Sequence, residues 1–336
     1  MRIPSPITWF GGKSRIAPRI IGYFPPHKTY VEPFGGSAAV LLAKEPSAIE
    51  VFNDIDKQLF NFFRVLRDEQ LFKRLRGSLE LTLYSRAEFD LAKQQSDDPV
   101  EAARRLLVRQ RQSFSGKGED WSYSTRKAQG GMASAVKRWR SGVDCLPAVN
   151  RRLQNAQIEC DDWRQIIRRF DTRETLFYVD APYHIETRVG GGYRHEITKQ
   201  DHEELIARLL KIRGMVVLSG YNHGTYAPLE RAGWKRVDFD VVANISYRRT
   251  SRIESLWMSP AVVNRKSNMF LSPTEKMRDG AYQTHSTRVE SSTKRVVRTI
   301  EKFRASGQRI TIVDVARATK MSREHLGKKY RHLFAV

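Results

Sequence analysis

Cysteine is scarce in this chain: Cys145 and Cys160 are the only two in 336 residues. They lack the paired spacing of a zinc site and the close ladder of a disulfide-stapled domain, so they read as buried or free thiols of a reducing compartment. Long apolar runs are missing too, none approaching the roughly 18 residues that span a bilayer, and the start shows no basic stretch followed by an apolar core. Neither membrane insertion nor secretion is expected, which leaves the cytoplasm. Acidic residues are in deficit, 37 against 59 lysines and arginines, for a formal net charge of +22. That imbalance argues against an enzyme of small anionic metabolites and points to a polyanion as partner. The length suggests about two domains, with ample chain to bury a core.

What is present is concentrated in two strings. Glu32-Pro33-Phe34-Gly35-Gly36-Ser37-Ala38-Ala39 and Phe177-Tyr178-Val179-Asp180-Ala181-Pro182-Tyr183 each follow or contain an apolar, strand-like run. A strand ending in Gly-Gly lets backbone approach a ligand closely, since neither residue carries a Cβ and both tolerate positive φ. A strand ending in Asp-x-Pro-Tyr presents a carboxylate, a constrained turn and an aromatic face together. Those groups suit an exocyclic N6 amine, whose lone pair is delocalised into the purine: acceptors must hold its protons, and an aromatic face can sandwich a base taken out of the stack. Asp180 and the Ala181 carbonyl are the expected acceptors, and Tyr183 the expected aromatic.

Each string alone has a plainer reading. Gly-Gly is often only a tight turn, Trp9 and Trp163 suit a core, and Asp54 suits a turn or helix cap. In combination and order, however, the chain resembles the Dam-type class of S-adenosylmethionine-dependent adenine-N6 DNA methyltransferases over roughly residues 5 to 260. The resemblance rests on Thr8-Trp9-Phe10-Gly11-Gly12-Lys13, Tyr30 to Ala39, Asn53-Asp54-Ile55-Asp56, Asp161-Asp162-Trp163, the Asp180 string, Leu218-Ser219-Gly220-Tyr221 and Glu254-Ser255-Leu256-Trp257. One position departs from the family: Ala181 stands where its members normally have proline. The resemblance implies a Rossmann-like α/β sheet, S-adenosylmethionine as cofactor and double-stranded DNA as substrate, in a bacterial or phage-infected cell. It implies cofactor binding by Trp9, Gly12, Lys13, Glu32, Phe34, Gly35, Gly36, Asp54, Asp162 and Trp163, with Asp180, Pro182 and Tyr183 around a flipped adenine. No metal is implied, because the electrophile is already a sulfonium and no His/Cys/Asp cluster has ligand spacing. RNA methylation by the same chemistry, and a catalytically weakened DNA-binding regulator, are the rival readings. No partner nuclease of a restriction–modification pair can be named from the sequence.

Along the chain, strand-like Thr29 to Val31, the glycine loop, a helical Ala38 to Ala43, strand-like Ile49 to Phe52 and a helix through Leu59, Phe62, Phe63 and Leu66 alternate as in a parallel α/β sheet. The catalytic domain is expected over 1–68 and 156–262. The interval 69–155 breaks the alternation with helical, basic sequence and reads as an inserted target-recognition domain or, more plainly, a solvated basic insert. Residues 101 to 140 carry ten basic and three acidic side chains, interleaved with Trp121, Tyr123 and Trp139. Phosphate or base contacts are expected from Arg109, Arg111, Lys117, Trp121, Arg126, Lys127 and Arg138. After Asp180, a capping-box start at Thr198 opens a helix with Leu205, Ile206, Leu209, Leu210 and Ile212 on its apolar stripe. Met215 to Leu218 reads as a buried strand, and Val237, Phe239 and Val241 as a half-buried one pairing with Ser255 to Met258. Arg248, Arg249 and Arg252 fall in the loop expected between them, as further phosphate contacts or simply solvated charge. A polar linker over 263–290 leads to 291–336, whose spacing resembles a small all-α helix-turn-helix module with Arg323 on its last helix, or else a hairpin packed on the enzyme. Lys320 occupies the turn position where many such motifs carry glycine.

Overall fold

A computed structural model describes residues 3–125, 131–187, 192–245, 248–267, 296–305, 311–319, 321–324, 326 and 330, and of 242–245, 248–252 and 266–267 the backbone alone. Arg126, Lys127, Lys320 and the linker sequence from 268 onward lie outside these residues. The chain divides into two compact units, Met1–Asn268 and Met269–Val336.

In the first unit, α1 (Ala17–Ile21) precedes β1 (Thr29–Glu32), the glycine loop and α2 (Ala39–Ala43). β2 (Ile49–Asn53) follows and leads into α3 (Lys57–Arg67), where Asp56 Oδ1 accepts the Gln58 amide at 2.8 Å as the N-cap. Five helices come next: α4 (Glu69–Leu81), α5 (Arg86–Leu91), α6 (Pro99–Gln112), α7 (Ser134–Asp144) and α8 (Leu146–Leu153). Alternation resumes with β3 (Gln157–Glu159), α9 (Trp163–Phe170), β4 (Thr175–Val179), α10 (Lys199–Leu209), β5 (Met215–Gly220) and α11 (Ala227–Arg231). The long β6 (Lys235–Ile245) and β7 (Arg248–Met258) and then α12 (Pro260–Ser267) close the unit. The strand order is β3-β2-β1-β4-β5-β7-β6; the first five are parallel, and β7 runs antiparallel to both neighbours.

Both sheet faces are covered, which explains the unbroken apolar strands. Successive side chains point to opposite faces, so Tyr30, Phe52, Tyr178 and Val217 join the core under α1 to α8, while Val31, Val51, Phe177 and Val216 join the one under α9 to α11. Leu75, Leu107, Leu146 and other residues of α4 to α8 belong to that first core, so the 69–155 interval packs on the sheet through one continuous apolar cluster. Trp139, taken from the sequence as an aromatic interleaved with basic residues, is 3% exposed and part of this core.

Three local expectations change. Leu210 is 40% exposed, because α10 has ended at Leu209 and the stripe with it. Arg248, Arg249 and Arg252 are not in a loop: they lie in β7, paired with Ile245, Asn244 and Val241 of β6. β5 pairs with β7 only as far as Ser255, so the residues from Glu254 to Arg248 and their β6 partners continue as a two-stranded ribbon beyond the carboxyl end of β5. The expected linker begins in helix rather than coil, since α12 runs to Ser267 with Val262 fully buried.

The second unit has a helix α13 at residues 296–305 and a helix α14 (Ile312–Thr319). Its core gathers Val296, Ile300, Val315, Leu326 and Tyr330. Thr311 Oγ1 accepts the Asp314 amide at 3.3 Å, capping α14.

Candidate active site

The chain winds outward from β1 to β3 on one side and from β4 to β5 on the other, so β1 and β4 flank the point where the order reverses. A crevice forms there outside the carboxyl ends of the strands. Glu32 ends β1 and Asp180 follows β4, which is why strings about 150 residues apart in the chain come to face one cavity.

Asn53, at the end of β2, ties the rim together. Its side-chain amide donates to the Pro33 carbonyl at 2.8 Å and the Asp161 carbonyl at 3.0 Å, while its oxygen accepts the Asp161 amide at 2.9 Å. The ends of β1 and β2 and the loop after β3 are thereby stitched by one buried side chain. Asp54 does similar work, with Oδ2 accepting the Gly36 amide at 2.8 Å and Oδ1 the Asp56 amide at 2.9 Å. Burial pushes the Asp54 carboxyl up, against those two amides. The two glycines serve packing as much as access. A Cβ on Gly35 would stand 2.1 Å from the Phe52 ring, and Gly36 has φ +50°.

The cavity holds about 330 Å³, within the range of small-molecule sites. Every residue expected at the cofactor lines it, as do Asp180 and Pro182. At one end Phe34 and Trp163 pack with ring centroids 5.9 Å apart, and Asp162 caps α9 by accepting the Arg164 amide at 2.7 Å. Near Asp54, Asp56 also lines the cavity; its Oδ2 is buried with no hydrogen-bond partner among the described residues, and Arg194 Nη1 stands 3.6 Å and His195 Nε2 3.9 Å away. Glu32 Oε1 accepts the Tyr30 hydroxyl at 2.6 Å, and burial, opposed by that hydroxyl, pushes its carboxyl up to about 8.

Beside the cavity lies a buried charge cluster. Lys13 Nζ donates to the Gly11 carbonyl at 2.8 Å and stands 2.8 Å from Asp180 Oδ1 and 3.6 Å from Glu254 Oε1. Burial works against the Lys13 ammonium, but the two carboxylates overcome it and its pKa is raised. Burial raises both carboxyls as well, with Lys13 pulling each the other way. The Tyr183 hydroxyl donates to Glu254, whose role sequence inspection missed although the residue stood in a quoted segment. Tyr183 itself is 4% exposed and does not line the cavity: Lys13 Nζ sits 4.7 Å from its ring centroid and the Tyr221 ring packs edge-on at 4.7 Å. The aromatic rings on the wall include Tyr178 and Tyr193, the latter packed against Phe10 at 5.5 Å. Ala181 is buried among the apolar residues under α9 to α11.

The basic residues separate by environment. Arg109 is half-buried and donates to Gln58 Oε1 at 2.6 Å; Arg111 reaches Thr8 and Ser141 and fills the space against Gly142. Burial lowers the pKa of both guanidiniums. Lys117 is exposed over the Phe10 ring, Arg138 is exposed on α7, and Trp121 stacks on Tyr123 with Arg86 over its ring. Arg323 is exposed in the second unit.

A family model described as D12 class N6 adenine-specific DNA methyltransferase matches residues 9–226. Among curated proteins nothing matches the chain.

Proposed function

The chain belongs to the D12 class N6 adenine-specific DNA methyltransferase family, and from that premise we propose that it methylates a flipped-out adenine within specific sites of double-stranded DNA, with S-adenosylmethionine as methyl donor. The observation that carries this reading is the placement of Asp180, paired with Lys13, on the wall of a cavity at the β1/β4 switch point.

The residues present fit that cofactor. Phe34 and Trp163 offer an aromatic clamp for a purine, the orphaned Asp56 Oδ2 an acceptor for ribose hydroxyls, and Arg194 a cation for a carboxylate. Bound there, S-adenosylmethionine would supply a methyl group already activated on a sulfonium. The protein's part is to prepare the amine. Lys13 favours the ionised form of Asp180 against the burial that would protonate it, leaving acceptor oxygens for an N6–H. An N6 amine whose protons are so held keeps its lone pair toward the donor.

DNA would be gripped on the same side of the sheet. The β6–β7 ribbon projects past the carboxyl end of β5, and a two-stranded ribbon of this kind is narrow enough for a major groove. Exposed Lys117 and Arg138, with Arg248 and Arg249 in the ribbon, are the proposed phosphate contacts. We assign the second unit to DNA as a helix-turn-helix-like module, supported by its small helical core and exposed Arg323. Among the described residues no helix is long and apolar enough to cross a membrane; a bacterial cytoplasm and a restriction–modification setting belong to the same proposal. The direct test is transfer of tritiated methyl to duplex DNA, with modified adenines mapped by sequencing and RNA run in parallel. Adenine methylation at a defined site in DNA is expected; label on RNA alone, or on neither, overturns the reading.

A further inference from the structure

A second cluster of chemically capable side chains lies next to the active-site strings, on the loops after β4 and β5. His184 directly follows Tyr183, and Ile185–Thr187 then makes a 3-10 turn. His223 stands two residues past Tyr221 in the facing loop. The rings of His184 and His223 lie 4.2 Å apart between centroids at 19°, and His223 Nε2 is 3.3 Å from Glu186 Oε2. One ligand atom from each of the three residues falls within 4.8 Å of the others. The far side of His223 is held as well: Nδ1 lies 2.8 Å from Thr225 Oγ1, which orients the ring so that Nε2 faces the cluster.

We propose that His184, Glu186 and His223 form a binding site for a divalent transition-metal ion of the zinc type, bridging the loops that follow β4 and β5. The donor set argues for that class. Two imidazole nitrogens and one carboxylate suit a borderline ion such as zinc, whereas calcium and magnesium take oxygen ligands almost exclusively. Ligand atoms around a tetrahedral zinc stand roughly 3.4 Å apart, given bonds of about 2.1 Å. His223 and Glu186 already meet that spacing. The two sides that involve His184 span no more than 4.8 Å; closing them takes a tilt of the stacked rings, and the exposed Glu186 side chain is free to follow. Three protein ligands leave the fourth position to water. Because Tyr183 and Tyr221 lie just before these ligands and touch each other, a bound ion would also pin the two loops together. The alternative is a simple stacked pair of histidines with a hydrogen-bonded carboxylate.

The test needs no methyl-transfer assay, so its failure is separate from that of the proposed function. The full chain, stripped with a chelator, is titrated calorimetrically with zinc alone and spectroscopically with cobalt, whose visible absorption reports tetrahedral nitrogen and oxygen ligation. One ion per chain is expected, with a rise in melting temperature. Glu186→Gln and His223→Gln should each weaken binding at least about 10-fold, and Glu186 is exposed enough for its variant to keep the fold. A Cys145→Ser, Cys160→Ser double variant should bind as the natural chain does. Absence of saturable binding overturns the proposal, as does binding that survives both ligand substitutions or disappears with the cysteines.

Discussion

The carboxylate of Asp180 sits where burial alone would protonate it, and the Lys13 ammonium 2.8 Å away is what opposes that. Asp180→Asn keeps the shape and removes the charge, so methyl incorporation should fall by about 100-fold or more while calorimetric cofactor affinity changes little. Incorporation near the natural rate would remove Asp180 from the chemistry. Glu32 makes a prediction about pH. Its carboxyl moves from 4.5 in the unfolded chain to about 8 in the fold, through burial. Between those values the unfolded chain holds fewer protons than the fold, so stability is complete below 4.5 and is lost as pH rises to about 8. Asp54, Asp180 and Glu254 shift in the same direction and add to the trend. The melting temperature should therefore decline across that window, and Glu32→Gln, which cannot ionise, should flatten the decline. An equally steep profile in the variant would assign the pH dependence to the other groups.

At the scale of elements, the glycine loop is shaped by its neighbour strand. Gly35→Ala drives a Cβ to within 2.1 Å of the Phe52 ring, whose own position is set by the Phe63 ring 4.9 Å away. The ring cannot swing aside cheaply, so a loss of about 1–3 kcal/mol is expected in denaturant unfolding. A cost near zero would mean that the loop, not the core, yields. The β6–β7 ribbon is the element whose meaning changed most between sequence and structure. Its register carries Arg248 and Arg249 to the end of a continuous ladder. Replacing both by alanine should lower the slope of log affinity against log salt by about 1.8 if each contacts a phosphate, leaving cofactor affinity alone. An unchanged slope would place them in solvent.

For the whole molecule, charge and structure divide unequally. Residues Arg265 to Val336 carry seventeen basic and six acidic side chains, a net +11 that is half of the total +22. The residues of the active-site cavity all precede this stretch, and the first unit has its own cores on both sheet faces. Truncation near Thr284 should leave a folded enzyme that binds cofactor and turns over at saturating DNA, with weaker binding and a flatter salt dependence. An insoluble product would show that the tail completes the fold.

The amino-acid sequence by itself determined what is contiguous. Its central strands β1, β2, β4 and β5 are runs of mostly apolar residues with both faces buried, its caps are a polar residue a few positions before the amides they accept, and the Gly35 and Asp180 strings place their chemistry directly after strand ends. Each of these depends on neighbours within a few residues. Tertiary structure alone decided which separated groups meet. Glu254 reaches Tyr183 across 71 residues, Asn53 reaches Asp161 across 108, and His223 meets Glu186 across 37. The same folding sank Arg109 and Arg111 into protein contacts, left Tyr183 off the cavity wall and, among the described residues, left a cavity-lining carboxylate, Asp56, with an oxygen to spare. Composition records how many charges a chain has; only the packing of one element on another sets which of them face water, a ligand or each other.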